Sequence, residues 1–224
     1  MTEPTLIVLK HCTACEFAVD MARIYITGDS FCAYRTDPDQ HWPARLAKNL
    51  GLELEGRGYP GQGWWPSCQD FNWYIGSRKF SETSVFVFCH TDLNRPITNN
   101  EYCKSGLTKE QQEFYFRYLH DPAVNQWSTN KWYQEIATSL INKTVLHLHF
   151  GSSNQRLRSQ LSGKHLKPDL NDMTTWFRDR NTGLPQMHEG YPNHFTPKVN
   201  VKLADLIAAK WQHNVIDIAK SELE

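Results

Sequence analysis

Four short apolar runs punctuate the chain, at residues 24–27, 52–55, 84–89 and 144–150. Each is too short to be a helix of ordinary length. The third, SVFVFCH, is rich in β-branched and aromatic residues with no polar alternation, which predicts parallel strands covered on both faces. The intervening segments carry helical spacing. HWPARLAKNLGL places apolar residues at Trp42, Leu46 and Leu50 and then Gly51, a C-cap. Thr108 with Gln111 forms a capping-box signature ahead of a second helix, and Trp132, Ile136, Ser139 and Leu140 fall near one face of a third. Thr196 followed by Pro197 opens a fourth, with Val199, Leu203, Leu206 and Ile207 on one stripe. Alternating strands and helices predict a parallel sheet between helical layers. Sites in such sheets gather at the carboxyl ends of the strands, which brings Ser30, the glycine loop at 56–63 and residues 89–95 to one edge. Residues 151–192 are polar with weak periodicity and read as a long surface connection of the kind that shapes a cleft.

A length of 224 residues with 40% hydrophobic content suits one domain. The segment from Met21, MARIYITGDSF, is a compact start for it, so residues 1–20 are expected to be an N-terminal extension and 21–224 the domain. Lys plus Arg equals Asp plus Glu at 24 each, which removes any overall electrostatic case for nucleic acid or an anionic membrane surface. No apolar stretch approaches the ~20 residues that span a bilayer. MTEPTLIVLKHCTACEF does not read as a secretory signal, so a reducing, cytoplasmic compartment is expected. The six cysteines are then expected to be free buried thiols rather than a disulfide framework. Cys12 and Cys15 have zinc-like spacing, but no second pair follows.

The residues that carry chemistry begin with RIYITGDSFCAY. Ser30 needs a base before it can act as a nucleophile, and Gly-Asp-Ser is equally good turn and cap chemistry. In EGRGYPGQGWW, Gly56, Gly58, Gly61 and Gly63 follow the second strand. Pro60 lies inside this run and no helix opens at Gly61, so it is not a dinucleotide fingerprint; a tight turn or a backbone oxyanion donor remains. FCHTDLNRP crowds Thr91, Asp92, Asn94 and Arg95 onto the same edge. His194, just before the last amphipathic helix, can cap, face solvent or act as a general base. His147 and His149 share one strand face; a metal pair needs a further ligand, and packing with hydrogen bonding is expected instead. Trp64, Trp65, Trp73 and Tyr74 are expected mostly to pack, with one exposed tryptophan near the cleft suited to a sugar.

Together these pieces resemble the SGNH, or GDSL-type, hydrolases. The resemblance runs over about residues 21–210: Gly28-Asp29-Ser30 after the first strand, a glycine after the second, a polar turn after the third, and HFTPKVNVKLADLI after the fourth block's histidine. It implies a three-layer α/β/α sandwich with a mainly parallel, flavodoxin-like sheet, and cleavage of a small ester through an acyl-enzyme, the ester considered being a carbohydrate O-acetyl group. Ser30 would be the nucleophile and His194 the base, with the Ser30 and Gly58 amides in the oxyanion hole. No metal or organic cofactor is implied. Two positions depart from the family. Its oxyanion asparagine is replaced by Thr91, followed by Asp92, which cannot donate when ionised. Its aspartate three residues before the histidine is Tyr191 here, leaving Glu189 as the nearest carboxylate. The expected site is therefore Ser30, His194 and Glu189 for catalysis, with Asp29, Gly58, Thr91 and Asp92 at the oxyanion and substrate. The departures also admit a non-catalytic module that binds a glycan or a protein.

Overall fold

The computed structural model describes residues 22–33, 37–60, 63–91, 108–119, 121–150, 161–177 and 195–224. Six strands, β1 (Arg23–Gly28), β2 (Glu53–Glu55), β3 (Thr83–His90), β4 (Thr144–His149), β5 (Lys164–Lys167) and β6 (Val215–Asp217), form one sheet in the order β2-β1-β3-β4-β5-β6. Every pairing is parallel. This is the flavodoxin-like order with a sixth strand added. Its two outer strands are only three residues long.

Helices cover both faces, as the buried apolar runs require. On one side α1 (Trp42–Leu50) packs with residues of the later helices α6 (Leu170–Trp176) and α7 (Pro197–Ala209) over Ile24, Ile26, Val85, Val87, Leu146 and Leu148. On the other, α2 (Trp65–Ile75) and α5 (Pro122–Ser139) cover Tyr25, Phe86, Phe88 and Val145. Short helices complete the described chain: α3 (Arg78–Glu82), α4 (Lys109–Phe114), which runs into a π-helical turn over Tyr115–Leu119, and α8 (Lys220–Leu223). The fold is an α/β/α sandwich.

The expected helix ends are present. Gly51 takes φ 66° and donates to the carbonyls of Ala47 and Lys48. The Thr108 amide donates to Gln111 Oε1 at 2.9 Å, and the Gln111 amide donates to Thr108 Oγ1 at 3.3 Å. Thr196 caps α7 through the Val199 amide. α5 starts well before the expected pattern, at Pro122, where the Asp121 carboxylate accepts from the Ala123 and Val124 amides. The stretch read as a connection over 151–192 contains β5 and α6. It escaped the pattern because β5 buries a single residue, Leu166. Cys32, Cys68 and Cys89 are free and buried, whereas Cys12, Cys15 and Cys103 lie outside the described residues. No described helix is long and apolar enough to cross a membrane.

Candidate functional site

The strand order reverses between β1 and β3, so a crevice opens beyond their carboxyl ends. Gly28 ends β1 with φ 147°, and a Cβ there would lie 2.2 Å from the Cys89 carbonyl oxygen, so only glycine fits. Asp29 follows, almost fully buried, and its Oδ1 accepts the Phe31 amide at 2.9 Å. That bond caps a 3-10 turn over Ser30–Cys32. The indole of Trp42 donates to the Phe31 carbonyl at 2.6 Å and anchors the far end of the turn. Capping therefore belongs to Asp29, and the Ser30 hydroxyl is not needed for it. Ser30 lies at the mouth of the edge with 9% of its surface exposed.

The glycine loop is bound directly to this turn. Gly58 bridges to Gly28 in strand fashion. A Cβ on Gly58 would meet the Asp29 oxygen at 2.3 Å and the Ala33 nitrogen at 2.5 Å. The Gly28 carbonyl accepts both the Tyr59 amide, at 2.8 Å, and the Ser67 hydroxyl, at 3.0 Å. Thr27 Oγ1 donates to the Arg57 carbonyl at 2.9 Å. Beside these groups, β3 delivers His90 and Thr91, both buried. A narrow cleft between β1, β3 and the helices is lined by Gly28, Trp64, Ser67, His90, Thr91 and Trp132, with room for about one water molecule. Burial pushes the Cys89 thiol well up and the Cys68 thiol up to about 12, which disfavours thiolate chemistry at both.

Ser30, Asp29, Gly58 and Thr91 are thus brought together from three strand ends. Asp92, Glu189 and His194 lie outside the described residues, as do His188 and Tyr191. Their nearest described neighbour is informative: the ring of Phe195 packs edge-on against Phe31, centroids 5.6 Å apart. Trp64 is buried and lines the cleft, and Tyr74 stacks on Tyr25. Trp73 is 84% exposed, but it lies in the C-terminal half of α2, next to Tyr74, whose hydroxyl pairs with Thr83 at the start of β3. That end of α2 is the one away from the cleft.

One cluster exceeds the sequence reading. His147 and His149 do share a face, but His90 and His165 join them in a stack across three strands. Strand register explains it: His90 pairs with His149, and His147 with His165. Neighbouring ring centroids across strands lie 4.9–5.7 Å apart. Stacked rings present faces rather than converging lone pairs, and among the described residues no group of three or more His, Cys, Asp or Glu side chains is arranged to hold a metal ion. Hydrogen bonds set the tautomers. His147 Nε2 meets the Ser162 carbonyl at 3.2 Å; a carbonyl only accepts, so this nitrogen carries the proton. His147 Nδ1 must then accept, and it takes the His90 Nε2–H at 2.9 Å. By the same reasoning His165 Nε2 donates to the Leu161 carbonyl at 3.3 Å. Burial, followed by the proximity of His165, pushes the His147 pKa down to about 3, so the ring is neutral. Alternating positions in SVFVFCH and TVLHLH could have flagged His90 as a third ring on the same side.

Compared with known proteins, the chain matches no family model, no curated protein and no solved structure.

Proposed function

We propose that the chain is a serine hydrolase of the SGNH type that cleaves a small ester, with a carbohydrate O-acetyl ester as the candidate substrate. The observation that carries this reading is the contact between Phe31 and Phe195. Each is the immediate chain neighbour of a proposed catalytic residue, Ser30 and His194, and adjacent Cα atoms are ~3.8 Å apart. The contact thus joins two segments that lie far apart in sequence at the carboxyl edge.

In this reading Ser30 Oγ attacks the ester carbonyl while its proton passes to His194, which returns it to the leaving alcohol. The Ser30 and Gly58 amides would hold the oxyanion, with Thr91 and Asp92 as the further oxyanion and substrate residues. Glu189 serves as the third member in place of the missing aspartate. Loss of one oxyanion donor costs ~10²–10³ in rate and loss of a triad carboxylate ~10⁴ in well-studied proteases, so a slow enzyme is expected. Buried free thiols fit a reducing, cytoplasmic setting.

Incubation with a fluorophosphonate probe followed by peptide mapping tests this. Labelling at Ser30 that disappears in Ser30→Ala and slows in His194→Ala is expected. Thr91 and Tyr191, where the family has asparagine and aspartate, favour a second reading: a non-catalytic module that binds a glycan or protein at the same edge. A folded sample that takes no label at any pH would select it.

A further inference from the structure

We propose that the histidine stack makes the seam between β4 and β5 acid-sensitive, so that β5 and the residues leading into it detach from the sheet at mildly acidic pH before the rest of the fold gives way. The seam is thin. Ladder register joins β4 to β5 at two positions only, Leu146 with Lys164 and His147 with His165. The backbone that enters β5 is held instead by side chains: the Leu161 carbonyl by His165, and the Ser162 carbonyl by His147.

The His147 anchor has no place for a further proton without loss. His147 already accepts at Nδ1 and donates at Nε2, so a proton arriving at Nδ1 would set two N–H groups against each other at 2.9 Å and drive His90 away. The His165 ring lies close by, centroids 5.1 Å apart, and its proximity further disfavours a charge on His147. Among the described residues, the titratable groups facing His147 in the stack are His90 from β3, His149 from β4, His165 from β5 and Tyr133 from α5, whose ring meets His90 edge-on at 4.8 Å. The groups acting electrostatically on His147 are His165 and the Ser162 carbonyl. Opening the seam exposes His147 to water, where it takes up a proton at its ordinary basicity. Each proton gained on opening raises the opening constant about tenfold per pH unit in the window below the ordinary histidine pKa.

Native-state hydrogen–deuterium exchange, corrected for the intrinsic rate at each pH, reads this out by segment. Between about pH 6.5 and 5.5, peptides covering 161–167 should lose protection by about five- to thirtyfold, for one or two protons gained, while peptides covering 23–28 and 83–88 change by less than about twofold. His147→Gln and His165→Gln can each still donate to the same carbonyl but cannot titrate. Either should cut the pH response of 161–167 by about fivefold without removing protection at neutral pH. Uniform loss of protection across all strands, or a pH response unchanged in the double variant, would overturn the proposal. If a variant fails to fold, the wild-type comparison between segments still decides it.

Discussion

Under α1 and α7 the sheet presents Ile24, Ile26, Val85, Val87, Leu146 and Leu148. Under α2 and α5 the alternate positions of the same strands present Tyr25, Phe86 and Phe88, and then His90, His147 and His149 toward the carboxyl edge. The aliphatic face makes no directional demands; its members need only the right volume. The imidazole face is directional throughout, because each buried N–H must find an acceptor and each acceptor a donor. A one-residue slip of any central strand would exchange the two chemistries, which gives the register a strong energetic preference. One face supplies bulk stability, and the other ties stability to proton concentration.

Acid should separate the faces most. In the unfolded chain His147 ionises near the ordinary value of about 6.5, whereas the folded chain holds it neutral down to about pH 3. Below pH 6.5 the unfolded state therefore binds a proton that the folded state does not. Stability is full above that pH and falls with acidification, by ~4–5 kcal/mol over the whole window from this residue. Urea unfolding at pH 7 and pH 5 should differ by ~2 kcal/mol more in the wild type than in His147→Gln. Next in size is Leu146→Ala on the aliphatic face, where the side chain is fully buried. It should cost ~3 kcal/mol by cavity formation. The cost should be equal at both pH values, and a difference above ~0.5 kcal/mol would mean that the faces are energetically coupled. The smallest effect belongs to Trp42→Phe, which keeps the ring in the aliphatic core but removes the donor to the Phe31 carbonyl. It should cost ~1–2 kcal/mol in chemical unfolding, and should slow fluorophosphonate labelling more than that loss of stability alone would.

The central strands were legible because burial on both faces leaves an unbroken apolar run, as in SVFVFCH. β5 and β6 were not, since KHLK and VID each bury one residue and three or four positions cannot establish a period. At the site, the glycines announced themselves by type, and the close approaches at Gly28 and Gly58 account for them. The role of Asp29 was hidden, because Gly-Asp-Ser offers two capping side chains and only the backbone shows which one turns inward. The histidine stack was half visible. His147 and His149 are paired by local alternation, but His90 and His165 reach them only through register between strands distant in sequence, which no local pattern encodes.

The shortness of the outer strands has a bearing on how the molecule meets its own copies. A sheet edge is a row of unsatisfied backbone groups that can recruit another chain. Here each edge offers only three residues, Glu53–Glu55 and Val215–Asp217, and both carry carboxylates. A second copy aligned on either edge would gain a ladder of only one or two bonds. The sheet is thereby protected against growing from chain to chain into an aggregate.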